Sequence, residues 1–177
     1  MKTLLLTNAK KLSKAMTKTR IHLPVATMFL AALLAGSAAA ENQVPFKGSL
    51  EGYQIVTPID AQHIFVHGIG TGNATQLGSF TVDIPHIVDL TTGIGLGIFT
   101  FTAANGDTLT AGFTGQGTPT TDPVVVTIVE TATITGGTGR FANATGSFIV
   151  TRSFSFATNL FSGSIEGTIS SPGAGIP

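Results

Sequence analysis

Two charged side chains stand where a strand pattern calls for apolar ones. Val124, Val126, Ile128, Glu130, Ala132 and Ile134 alternate along one stretch. Phe148, Val150, Arg152, Phe154 and Phe156 alternate along a later one. Alternate residues of a β-strand share a face, so each charge falls in an apolar row. If the glycines near Gly139 form the tip of a hairpin between the two stretches, Ile128 lies opposite Arg152 and Glu130 opposite Val150. The two charges are then diagonal neighbours, within reach of long side chains. A buried charge is costly unless paired, so pairing is the expected arrangement if both point inward. The chemistry available to such a pair is to orient a ligand or to polarise a carbonyl inside an apolar cavity. The alternatives are an ion pair that only holds the fold, or a surface pair if the faces are reversed.

Other polar residues suggest less. His63 and His67 share one face of a strand, but a third metal ligand at suitable spacing is missing, so no metal site is expected. His86 shares its parity with Phe80, Val82, Ile84 and Val88, which places it in the core or at its rim. Tyr53 and Glu51 share a parity that fits either surface. There is no Cys, which excludes disulfides, thiolate metal sites and a Cys nucleophile. No G-x-S-x-G elbow occurs. No cofactor is expected. The ligand-contact candidates are therefore Glu130, Arg152, His86, Phe148 and Phe154, and the only candidates for catalysis are Glu130 and Arg152.

The elements that must position these residues read as strands. Residues 41–177 hold 21 of the 22 glycines and 11 of the 12 phenylalanines, with Thr throughout. Apolar residues recur with period 2 rather than 3.6. Turn signals interrupt the runs at short intervals, as all-β sandwiches and barrels require. Eight strands are predicted, at about 46–56, 62–70, 76–89, 96–103, 108–115, 124–134, 147–156 and 161–170. Asn105-Gly106 predicts a two-residue hairpin turn with positive φ at both positions. Pro85 lacks an N–H and predicts an edge or a bulge. Residues 173–177 are expected to be a frayed tail. The fold expected is an all-β, eight-stranded antiparallel up-and-down barrel, whose interior is filled by side chains or holds one small ligand. A sandwich is the runner-up. An outer-membrane barrel would want aromatic girdles, and the chain has no Trp and one Tyr.

The charges are unevenly placed. Nine bases balance nine acids, but six of the bases lie in the first twenty residues and no acid precedes Glu41. From Glu41 onward, Lys47, Arg140 and Arg152 face all nine acids, a net charge of −6. Nucleic acid is excluded as a partner for such a surface. The basic start, the apolar run Leu23–Ala35 and Ala38-Ala39-Ala40 together predict a secretory signal peptide over residues 1–40, cleaved near Ala40. The run is short for a membrane span. The expected organisation is a signal peptide and one barrel domain, 41–177, secreted or periplasmic, with no membrane span once the signal is removed.

The segment Ile134–Phe148, ITGGTGRFANATGSF, resembles the glycine turn of dirigent proteins and of allene oxide cyclases. It is most similar to the GTGRFAGATG run of secreted bacterial proteins with an allene-oxide-cyclase-like barrel. An upstream partner motif is matched by Gly72-Asn73-Ala74-Thr75-Gln76-Leu77-Gly78-Ser79-Phe80, with Gln76 where that group has His and Ser79 where it has Arg. The resemblance implies an eight-stranded, calycin-like barrel and transfers no catalytic residue. Physically, Gly136, Gly137 and Gly139 suit a barrel-end turn from which Arg140 projects and into which Phe141 folds as an apolar plug. A phosphate-cradling loop would need a helix after the glycines, and a strand follows instead.

Three functions fit. The first is a barrel that binds a small apolar molecule inside. The second is a cyclase or isomerase of the allene oxide cyclase or dirigent type, acting by cavity shape with Glu130 and Arg152 as its polar groups. The third is a ligand-free structural or surface protein with Phe filling the interior. A homo-oligomer is compatible with all three.

Overall fold

The computed structural model describes residues 42–170. The predicted signal peptide and the predicted frayed tail lie outside the described residues. The chain runs β1 (Gln43–Pro58), β2 (His63–Ala74), β3 (Gly78–Asp89), β4 (Ile94–Ala103), β5 (Thr108–Pro119), β6 (Val125–Gly137), β7 (Gly146–Ser155) and β8 (Leu160–Ser170), with one 3₁₀ turn, Gly139–Phe141, between β6 and β7. Each strand pairs antiparallel with its sequence neighbours, and β1 pairs with β8. The result is the expected closed eight-stranded barrel. Closure leaves no sheet edge unpaired.

The two ends of the barrel differ. The β2–β3, β4–β5 and β6–β7 loops lie at one end and the other four loops at the opposite end. The first end is closed by packing. Phe141, which is 0% exposed, plugs it beside Leu77 and Ala144. Above the plug, phenylalanines fill the barrel. Phe46 meets Phe148 edge-on at 5.2 Å, Phe80 meets Phe101 at 5.2 Å, and Phe99 lies 4.5 Å from Phe113. Edge-to-face aromatic pairs add to the energy of burial alone. This apolar interior is the reverse of the polar lumen of an outer-membrane barrel.

Three local expectations need correction. The β4–β5 connection is a three-residue loop, Ala104–Gly106, not a two-residue one. Gly106 N–H donates to Ala103 O, and Ala103 N–H donates to Asp107 O. Only Gly106 has positive φ, at 89°, as in a turn closed by a glycine bulge. Pro85 lies within the closed sheet, not at an edge. The β3–β4 ladder breaks after Asp83↔Thr100 and resumes at His86↔Gly97 in the same register, so a missing donor is absorbed without a bulge. The second strand, expected to end near residue 70, runs on through Thr71-Gly72-Asn73 to Ala74, and the chain reverses at Thr75-Gln76-Leu77.

Candidate functional site

The β6–β7 register is the one the sequence predicts, with Ile128 opposite Arg152 and Glu130 opposite Val150. The single register shift nearby lies between β5 and β6 at Thr110/Ala111, and leaves the β6–β7 pairing intact. Both charges therefore point inward. Arg152 Nε donates to Glu130 Oε2 at 2.9 Å, and Nη2 donates to Oε1 at 2.5 Å. Their side chains are 0% and 1% exposed. Arg152 Nη1 donates to Gln54 Oε1 at 2.8 Å, and the guanidinium carbon lies 5.1 Å from the Phe161 ring centre. A forked guanidinium–carboxylate pair is the strongest form of such a contact.

Two glycines make room for the pair. A Cβ on Gly115 of β5 would stand 2.7 Å from Glu130 Cγ, and one on Gly163 of β8 would stand 2.6 Å from Arg152 Cβ. Both strands flanking the hairpin thus give up a side chain where a long charged one crosses the barrel.

Above the pair the barrel is open. A cavity of about 530 Å³ runs from Gln54, His86 and Glu130 at its floor to Val56, Leu90 and Phe156 at its mouth. Phe113, Ile128 and Phe154 form part of its wall. That volume is in the range of small-molecule sites. Larger hollows, lined by outward-facing residues such as Ser49, Glu51, Thr71 and Thr81, lie on the barrel's outer surface and bring no charged groups together.

The predicted site residues separate. Glu130, His86 and Phe154 line the cavity. Arg152 does not: it is covered on every side and acts on the cavity only through Glu130 and Gln54. Phe148 does not either. It packs against Phe46, Phe99 and Phe101 in the closed half. Its parity was right, but parity carries no information about height along the barrel. Gln54 escaped the sequence reading. Its signal was present, because Phe46, Leu50 and Gln54 lie on one parity of β1.

Electrostatics follow from burial. Burial pushes the Glu130 carboxyl above its ordinary value, while Arg152 pulls it back toward the charged form. Burial lowers His86 to about 4, opposed by the hydrogen bond to Ile84 O and assisted by the positive charge of Arg152. His86 Nδ1 lies 3.0 Å from Ile84 O, so Nδ1 carries the proton and Nε2 is an acceptor. His63 and His67 are on the outer face, bound to Asp60 and Asp83 respectively. Among the described residues no three His, Cys, Asp or Glu gather in a way that would hold a metal ion.

The two motif segments that carry the sequence resemblance meet at the closed end. Arg140 Nη2 donates to Leu77 O at 3.0 Å, which ties the β6–β7 turn to the β2–β3 turn. Arg140 does not project freely, as the sequence reading had it. Its backbone N–H donates to Asp107 Oδ2 at 3.3 Å, which brings in the β4–β5 loop. The motif is thus a closing clasp, remote from the cavity.

No family model and no curated protein matches the chain. Among solved structures, the chain is similar to a pterocarpan synthase dirigent protein, with 11% identity and a TM-score of 0.50, over 86% of this chain and 99% of that one. The likeness is one of fold: this is a dirigent-like barrel.

Proposed function

We propose that this barrel binds a small, mainly apolar molecule in its open half. The observation that carries the proposal is the division of the interior. Phenylalanine fills the closed half, and the chain then stops filling the barrel just above the polar floor of Gln54, His86 and Glu130. A cavity with apolar walls and a few placed polar groups is the usual form of a small-molecule site. The ligand-free reading required Phe to fill the whole interior, whereas Phe113, Phe154 and Phe156 line a space they leave open. A second reading, a cyclase or isomerase acting by cavity shape, is favoured by one feature, the Glu130 carboxylate at the floor. In that reading the walls fold the substrate and Glu130 contacts the reacting part.

We also propose that the protein acts outside the cytoplasm, supported by the basic, apolar and small-residue order of residues 1–40. Sequencing the N-terminus of the exported protein tests this, with a start at or near Glu41 as the expected result.

Native mass spectrometry of the purified protein tests the binding proposal. A retained small molecule, lost on unfolding, or uptake of an apolar probe supports it. The bare protein mass throughout, with no uptake of any apolar probe, refutes it.

A further inference from the structure

The polar floor of the cavity is electrically asymmetric. Arg152 is covered and does not line the cavity. Three of its five N–H donors are spent on Glu130 and Gln54. What faces the cavity is the other side of those bonds. Glu130 retains lone pairs beyond the one bond that each oxygen accepts from Arg152. Gln54 gives its Oε1 to Arg152, and no hydrogen bond donated by its Nε2 is found among the described residues. His86 gives its Nδ1 proton to Ile84 O, which leaves Nε2 as an acceptor on a ring that lines the cavity.

The mouth repeats the bias. Asp60 and Asp122 in the loops and Asp89 at the end of β3 stand around the open end, and no Lys or Arg lies there among the described residues. Each of these carboxylates is held in place by backbone N–H groups of its own turn. An anion approaching the cavity thus meets acids at the rim and a carboxylate at the floor, with the nearest cation already neutralised.

Resting on the reading of the cavity as a ligand site, we infer that it selects an uncharged apolar molecule carrying a hydroxyl group, accepting from Gln54 Nε2 and donating to His86 Nε2 or Glu130, and that it rejects carboxylates of the same size. A carboxylate would desolvate against Glu130 with no free donor but Gln54, which is an unpaired buried charge. An amine would have to compete with Arg152 for Glu130. An alcohol satisfies both kinds of floor group and brings no charge. The low pKa of His86 agrees with this, because the ring stays neutral and its Nε2 stays an acceptor at neutral pH.

The test is binding of decan-1-ol, decanoate and decylamine to the full chain at pH 7, by calorimetry or native mass spectrometry. The alcohol is expected to bind at least about tenfold more tightly than either ion. His86→Phe is expected to weaken the alcohol roughly tenfold, through loss of an acceptor in a desolvated site. Glu130→Gln leaves Arg152 uncompensated and is expected to reverse the order, so that decanoate binds better than decan-1-ol. Decanoate or decylamine binding the unaltered protein as well as the alcohol does overturns the inference and leaves the cavity proposal standing. Binding of none of the three, nor of an aromatic apolar probe, overturns the cavity proposal and the inference with it. Where Glu130→Gln does not fold, the order of the three probes on the unaltered protein and the His86→Phe comparison decide.

Discussion

Replacing Arg152 by Met removes the charge and keeps much of the side-chain volume. Three acceptors lose their donor at once: both Glu130 oxygens and Gln54 Oε1. Glu130 is 1% exposed and becomes an unpaired buried charge. Breaking a buried pair in this way costs about 3–5 kcal/mol. For a barrel of this size that is a fall of roughly 10–20 °C in Tm. The loss has a defined pH dependence. Without Arg152 only burial acts on Glu130, so its folded pKa lies above its unfolded value. The penalty is complete above the folded pKa and shrinks as pH falls through it, because the folded variant takes up the proton. The Arg152→Met variant is therefore expected to recover stability relative to the unaltered protein between pH 7 and pH 4.5. Glu130→Leu combined with Arg152→Met removes both charges and is expected to be more stable than Arg152→Met alone by about 2 kcal/mol or more, since an apolar pair of similar volume often replaces a buried ion pair at no cost. Urea denaturation followed by far-UV circular dichroism at pH 7 and 5 measures all of these. An Arg152→Met cost below about 1 kcal/mol, or a double variant no more stable than that single one, would refute the claim that this contact is a buried, mutually dependent pair.

The remaining predictions use other parts of the barrel. His86 is lowered from 6.5 to about 4 in the fold, so its neutral form stabilises above pH 6.5 and that contribution is lost as pH falls toward 4. The loss amounts to about 3 kcal/mol and should vanish in His86→Gln, as urea midpoints at pH 7, 5.5 and 4 will show. Gly115→Ala puts a methyl 2.7 Å from Glu130 Cγ and is expected to cost about 1–3 kcal/mol, with less of that cost in the background of Glu130→Ala. Phe141→Ala should cost about 3–5 kcal/mol because the plug is wholly buried. Phe156→Ala should change stability by less than about 0.5 kcal/mol, since the ring is 62% exposed, yet weaken binding of an apolar probe at the mouth.

How far the sequence revealed this molecule depends on which physical constraint was being read. The period-2 pattern is imposed by the pleat on every strand, so eight strands and the two sets of side chains on each were legible, and their short links favoured a barrel over a sandwich; which set faces inward was not legible from alternation alone. The Glu130–Arg152 pairing was legible for the same reason: two inward charges on neighbouring strands have few ways to avoid an unpaired burial. Height along the barrel was not legible. Phe148 and Phe154 share a strand and a face, yet one lies in the packed half and the other in the cavity wall, because six residues of strand carry the chain from the closed half to the open one. Gln54 was missed because an amide on an apolar parity attracts less notice than a charge.

The most recognisable motif was legible as a barrel-end turn, and it carries no information about the cavity. Its glycines and Arg140 stand out because loop closure admits few alternatives: Gly136 and Gly139 hold positive φ, and Arg140 must reach Leu77 O across the closed end. Such a segment reports how the barrel is shut. The open end has no comparable constraint, since its wall need only be apolar. A cavity can therefore change its ligand by exchanging Gln54, His86 or Phe154 while the clasp stays fixed. By that reasoning, exchange of the clasp residues should alter stability without altering ligand order, whereas exchange of the floor residues should alter ligand order. Arg140→Ala compared with His86→Phe, each assayed for both quantities, makes that separation measurable. A change of ligand order in Arg140→Ala at full folding would show that the two ends of the barrel are coupled.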